Sequence, residues 1–191
     1  AGARLPVRVP STDLLMSGVV VSGASGYIGS DLLRLGTRSS TVGLEALRSP
    51  GGVKYRLRLG ADDEQLRSAD ILIHLAWSRR GSGRDQVGDN INGVSALLRQ
   101  CAIHGVRMLF VSSYAVLFSS GTAYARAKSS LEQLVLASGG QVARVGLVWS
   151  AHSGGPVATL AKMSNLGYPL PIPRSRRVVV HLAHLDDVVQ S

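Results

Sequence analysis

Tyr124 and Lys128 stand four residues apart in Tyr-Ala-Arg-Ala-Lys, so on a helix both side chains project from one face. A phenol is a poor base at its ordinary pKa of about 10. An ammonium one turn away favours the phenolate and brings proton exchange toward neutral pH. Shortly before this pair, Ser112 and Ser113 end the apolar run Leu109-Phe110-Val111. One of the two hydroxyls, assigned to Ser113, could hydrogen-bond a reacting oxygen beside Tyr124. Each pattern also has a plainer reading: a surface tyrosine beside a solvated lysine, and serines that close a strand and start a turn.

A second constellation changes that balance. Val19-Val-Val-Ser runs straight into Gly23-Ala-Ser-Gly26-Tyr-Ile-Gly29, an apolar strand feeding glycines at G-x-x-G-x-x-G spacing. Gly23 and Gly26 let the backbone approach a pyrophosphate, Gly29 lets the next helix pack close to the sheet, and that helix turns its N-terminus toward the anion. The pattern reads as a dinucleotide site, expected to be formed by Gly23, Ser25, Gly26, Tyr27, Ile28 and Gly29, the plainer alternative being a glycine-rich turn with no ligand. A bound, positively charged nicotinamide would add to the effect of Lys128 on the phenol.

These residues need a frame, and the chain alternates strands with helices. A helix is expected from about Tyr27 to Leu35 and a second strand over Thr41–Leu47, ending at Arg48, Ser49 and Pro50. A third strand is expected over Lys54–Leu59, a short helix over Asp63–Ala69 and a fourth strand over Ile71–Ala76. Ile91, Val94, Leu98 and Cys101 fall at helical spacing before Gly105; a fifth strand follows over Met108–Val111, then a helix over Tyr124–Ala137 and a sixth strand around Val142–Leu147. Strands joined by helical crossovers imply an α/β fold, a Rossmann-like doubly wound parallel sheet whose ligands bind at the carboxyl ends of the strands.

Composition narrows the class. The chain has 191 residues, 45% of them hydrophobic, and no apolar run approaching the roughly 18 residues that cross a bilayer, so no membrane partner is expected. Cys101, the single cysteine, lies in an apolar helical pattern and reads as a small core residue, which points to a reducing, cytoplasmic setting. The net charge of +9 comes mostly from arginines scattered singly, without a basic run interleaved with aromatics. Nucleic acid is therefore not the expected partner, and the positive field suits a small anionic ligand.

The motifs occur in an order that resembles the extended short-chain dehydrogenase/reductases, and more narrowly the NAD-dependent epimerase/dehydratase family. They are Gly23-x-x-Gly26-x-x-Gly29, Asp70-Ile-Leu-Ile-His-Leu-Ala76, Asn90-Ile-Asn-Gly93, Val111-Ser-Ser113 and Tyr124-x-x-x-Lys128. Arg144-Val-Gly-Leu-Val-Trp149 and His184-Leu-Asp-Asp-Val188 resemble later segments of the same family. The resemblance implies Tyr124 as acid/base, Lys128 as the residue that tunes it and holds the nicotinamide ribose, and Ser113 as partner of the substrate oxygen. Leu75, Ala76 and Asn90 would line the cofactor. Arg174, Arg176 and Arg177 would either pair with a substrate diphosphate or form a solvated loop. His74 reads as a packed strand residue, and His181, His184, Asp186 and Asp187 as structural support, with no metal expected.

The resemblance has departures. Ser113 and Tyr124 are separated by ten residues, fewer than in most members. Gly60 stands where the family carries an acidic residue that contacts adenine. Arg48, unless a solvated loop residue, favours a 2′-phosphate at the end of the second strand and tilts the expected NAD(P) cofactor toward NADP. The division expected is a dinucleotide-binding domain over 16–150, the start of a substrate lobe over 151–191, and residues 1–15 as an extension or cloning remnant ahead of Met16. A complete enzyme should be longer. The function implied is hydride transfer on a nucleotide-sugar, by an epimerase, dehydratase or 4-ketoreductase, with homodimerisation common in the family. The alternatives are an NADP-dependent reductase of a non-sugar ketone and a noncatalytic dinucleotide-sensing module.

Overall fold

The computed structural model describes residues 18–36, 43–78, 84–118, 121–150, 156–170 and 180–190. The leading segment, the start of the expected second strand and the three arginines Arg174, Arg176 and Arg177 lie outside these residues.

The first strand, β1 (Val19–Ser22), is buried along its whole length, as a central strand covered on both faces must be. It leads through the glycine turn to α1 (Tyr27–Gly36) and then β2 (Leu44–Ala46). Two short strands follow, β3 (Arg48–Ser49) and β4 (Val53–Lys54), and then α2 (Asp63–Arg67), whose first turn is capped by the Asp62 carboxylate accepting from Glu64 N and Gln65 N. Next come β5 (Ile71–His74), the long α3 (Arg84–His104) and β6 (Arg107–Ser113). Gly105, at φ 72°, ends α3, and Val106 N–H donates back to the Cys101 carbonyl. A short α4 (Ala115–Phe118), α5 (Ala123–Ala137) and β7 (Gln141–Val145) complete the main unit, followed by β8 (Leu147–Trp149), α6 (Pro156–Asn165), β9 (Leu182–His184) and α7 (Leu185–Gln190).

Five strands form one parallel sheet in the order β2-β1-β5-β6-β7. This is a Rossmann-like α/β fold. From β1 the chain steps outward to β2, then returns to β5 on the other side of β1 and continues to β6 and β7. The direction reverses between β1 and β5, and right-handed crossovers then place the helices of the two halves on opposite faces. The crevice at such a reversal is where an open α/β sheet binds its ligand. Register sets its rim: Ser22 is level with His74 and His74 with Phe110, so β6 runs three residues past its neighbour to Ser113.

One face carries the main core. Val20, Leu72, Met108 and Phe110 of the sheet pack with Leu66 of α2, Val94, Leu97, Leu98 and Cys101 of α3, and Leu131 and Val135 of α5. Cys101 is the core residue its spacing predicts, and burial pushes its thiol up to about 11.

Two expectations fail. Lys54–Leu59 is not a third strand of the sheet. Gly51 and Gly52 take φ of 80° and 71°, a pair of left-handed residues that closes a tight antiparallel hairpin between β3 and β4. The chain then turns again, bridging Arg56 to Gly60, with Ser49 Oγ accepting from Arg56 N (3.0 Å) and donating to Gly60 O (2.7 Å). The expected sixth strand also ends early, at Val145. A side chain at Gly146 would collide with the His181 carbonyl, and beyond it β8 leaves the sheet to pair in parallel with β9. Elsewhere the elements follow the expected order with shifted ends.

Leu131, with no exposed surface, joins α5 to the core. Leu131→Ala is expected to cost about 2–5 kcal/mol in urea unfolding, the range for emptying a fully buried leucine site.

Candidate active site

The glycine turn is fixed by steric necessity. Gly23 has φ 74°, and a Cβ there would lie 2.7 Å from Ala76 N, so the end of β1 abuts the chain leaving β5. Gly26 N–H donates to the Gly23 carbonyl at 2.8 Å, and a side chain at Gly29 would strike that same carbonyl. Only glycines let α1 begin this close to the strand. Its first-turn N–H groups face an opening at whose wall Tyr27 and Ile28 stand.

The opening is a cavity of about 910 Å³ that runs from this turn across the carboxyl ends of the sheet strands. Gly23, Ser25, Gly26, Tyr27, Ile28, Gly29, Leu75 and Ala76 line it, and so do Ser113, Tyr124 and Lys128. The sequence-predicted turn and the sequence-predicted acid/base set thus share one space. Asn90 does not line it. Asn90 is wholly buried, its Oδ1 accepting from Ser78 N (2.8 Å) and its Nδ2 donating to the carbonyls of Ser78 (3.0 Å) and Gln86 (2.7 Å), so it fastens the segment after β5 to α3. Arg48 lies on the exposed hairpin, away from the cavity wall, with its backbone N–H donating to Gln65 Oε1.

Thr122 caps α5 by accepting from Ala125 N at 3.1 Å, and this starts the helix so that Tyr124 falls in its first turn. Tyr124 is 40% exposed, and its ring meets Trp77 edge-on at 5.1 Å. Lys128, one turn deeper, is buried. Its Nζ donates to the Val111 carbonyl at 2.9 Å and lies 4.7 Å from the centre of the Trp77 ring and 4.4 Å from that of Phe110. Burial pushes the Lys128 ammonium down to about 8, with the charge of Glu132 opposing. Ser113 lines the cavity, and its Oγ accepts from Ala115 N at 3.2 Å, which leaves the hydroxyl proton for a further acceptor.

Beneath these groups runs a buried polar row that the motifs alone do not announce. His74 is wholly buried, its Nδ1 2.8 Å from Ser22 Oγ and its ring stacked at 5.8 Å on Phe110. Burial first, and the Lys128 charge second, push the imidazole down to about 3, so it is neutral. Glu132, one further turn along α5, takes a bidentate grip from Arg144 at 2.6 to 3.2 Å. Burial would raise the Glu132 carboxyl, but the hydrogen bonds and charge of Arg144, with the Lys128 charge, hold it below its usual range. Glu132 was detectable as the third member of the Tyr124, Lys128 series at i, i+4 and i+8. Trp77 had no spacing signal.

No family model matches the chain, and no curated protein matches its sequence. Its fold matches solved structures. The capsular polysaccharide assembling protein CapF from Staphylococcus aureus superposes with a TM-score of 0.60 at 19% identity, covering 91% of this chain and 48% of that one. The UDP-N-acetylglucosamine 4-epimerase from Bacillus cereus gives 0.68 at 14% identity, covering 91% and 69%. The Bordetella bronchiseptica enzyme WbmF, solved in complex with NADH, gives 0.67 at 16% identity, covering 95% and 68%. The present chain thus spans about half the length of the first and somewhat over two thirds of the other two. At these identities the likeness is one of fold.

The buried row gives pH signatures. Between pH 6.5 and about 3 the unfolded chain protonates His74 while the fold refuses the proton, so this contribution to stability is complete above 6.5 and falls as the pH drops. His74→Leu is expected to flatten the dependence of unfolding free energy on pH just below 6.5, where carboxylates scarcely titrate; an unchanged slope in urea titrations would contradict a neutral buried imidazole. For Lys128 the window lies between about 8 and 10.5, where the unfolded chain again binds more protons and stability rises with pH. Lys128→Met is expected to remove that rise and to increase the melting temperature at pH 7.

Proposed function

We propose that this chain belongs to the extended short-chain dehydrogenase/reductases and is an NAD(P)-dependent enzyme that moves hydride to or from a carbon of a nucleotide-sugar. The observation that carries the reading is the shared cavity: a glycine turn that a Cβ would block at one end, and Tyr124, Lys128 and Ser113 further along the same wall. The fold neighbours support it, one an epimerase of a UDP-sugar and another solved with NADH.

The turn fits a dinucleotide. Gly23, Gly26 and Gly29 bring backbone rather than side chain to the cavity wall, and the start of α1 offers N–H groups for the pyrophosphate. A bound nicotinamide would supply the hydride chemistry. The residues of the chain do the rest. Tyr124 exchanges the proton of the substrate hydroxyl as the carbon is oxidised or reduced. Ser113 donates its hydroxyl proton in a hydrogen bond to the same oxygen. Lys128 presents a positive charge one helical turn from the phenol and favours its ionised form. A preference for NADP rests only on the place of Arg48 in the chain, just after β2, since the residue is exposed and does not line the cavity. The division that goes with this reading is a dinucleotide-binding domain over 16–150 and a partial substrate lobe over 151–191, with β8 of the first span crossing over to pair with β9 of the second.

Tyr124→Phe tests the assignment. With NAD+ or NADP+ and a panel of UDP-, GDP- and dTDP-hexoses, turnover should fall by at least about 100-fold, while cofactor affinity measured by calorimetry stays close to that of the unsubstituted chain. Retained turnover would remove Tyr124 from the proton transfer. Loss of cofactor binding together with activity would make it a structural residue.

A further inference from the structure

Past Tyr124, on the side away from the glycine turn, the cavity wall changes character. Tyr114, directly after Ser113, and Phe118, at the end of α4, stand with His181 in a cluster of nearly parallel rings. The His181 ring centre lies 4.8 Å from that of Tyr114 and 5.1 Å from that of Phe118, with interplanar angles of 14° and 15°. Tyr114 and Phe118 are inclined by 8° at 6.5 Å. The backbone holds two of the three: Tyr114 N–H donates to the Val145 carbonyl at 3.0 Å, and the His181 carbonyl accepts from Leu147 N at 2.7 Å.

Two further facts bear on what this wall touches. Phe118 is 63% exposed although it borders the cavity, leaving an aromatic face in water that a ligand would cover favourably. Around the rings, the described lining is Ala115, Val145, Gly146, Leu147, Val148 and Val180, and Lys128 is the one charged residue among all the described residues of the cavity wall. Among the described side chains around the rings, a hydroxyl or phosphate meets no charged partner. A flat, unsaturated ring would lose little and gain offset stacking.

We propose that Tyr114, Phe118 and His181 form a stacking subsite for a planar, unsaturated ring carried by the substrate. The proposal rests on reading the cavity as a dehydrogenase site, because that reading assigns the glycine end to the cofactor and leaves this end to the substrate. A planar ring has two chemical sources: the nucleobase of a nucleotide-sugar, or the body of an aryl ketone whose carbonyl would face Ser113 and Tyr124.

The test uses the full chain with and without saturating NADPH, and three probes: UMP, naphthyl methyl ketone and its saturated counterpart decalinyl methyl ketone. Dissociation constants are read by ligand-observed NMR on the unsubstituted chain, Phe118→Ala and Phe118→Tyr. At least one planar probe should bind about tenfold tighter than the saturated ketone, Phe118→Ala should lose about tenfold of that affinity, and Phe118→Tyr should keep it. UMP as the favoured probe identifies a nucleobase; naphthyl methyl ketone as the favoured probe, with NADPH consumed, identifies an aryl ketone. Equal binding of planar and saturated ketones with no UMP binding, binding of no planar probe, or indifference to Phe118→Ala would overturn the subsite. The two claims fail separately: a chain that binds no NADPH loses the dehydrogenase reading, whereas intact NADPH binding without any preference for planar rings loses the subsite alone.

Discussion

The hydrogen bond from Lys128 Nζ to the Val111 carbonyl, 2.9 Å long, couples the two elements on which the site is built. Val111 lies beyond the level at which β5 stops, so its carbonyl belongs to the projecting end of β6. By anchoring there, Lys128 fixes the rotation and height of α5 against the sheet. Tyr124, one turn earlier, is thereby brought to the same cavity as Ser113, two residues after Val111. The ammonium is buried under two aromatic rings, which partly replace the lost water but leave its protonation disfavoured. Stability is given up for position.

The rest of the polar row follows from burying that charge. His74 stays neutral within reach of the Lys128 field, and Glu132, held by Arg144, returns negative charge to the same region. Replacing Glu132 by an apolar residue would remove the negative charge acting on Lys128 and, through it, alter the field at the phenol of Tyr124. The sheet face beneath α5 is thus apolar toward the amino ends of its strands, at Val20, Leu72 and Met108, and polar toward the carboxyl ends, where the cavity opens.

Much of this was legible in the chain because it is local. A strand ending in Gly23, Gly26 and Gly29 states its own turn and the close approach of the helix, and Tyr124, Lys128 and Glu132 share a helical face by spacing alone. What could not be read depends on partners distant in sequence. The segment Lys54–Leu59 has strand-like composition, yet the left-handed pair Gly51 and Gly52 folds it back on β3, and the sheet position beside β1 goes to β5 instead. The pairing of β8 with β9 joins residues more than thirty apart. Asn90 illustrates the same limit, since a motif can mark a residue as important without distinguishing a ligand contact from a buried clamp on a neighbouring loop.

The central claim is that one cavity holds a nicotinamide dinucleotide between the glycine turn and the Tyr124, Lys128 pair. Trp77 borders that cavity and touches both side chains, which makes it a built-in reporter. The most direct measurement is a titration of the chain with NADH and with NADPH, following energy transfer from tryptophan to the reduced nicotinamide. The account predicts saturable transfer that is markedly reduced in Trp77→Phe, where the donor touching the site is gone. No saturable transfer with either dinucleotide, or transfer that survives removal of Trp77 unchanged, would contradict it.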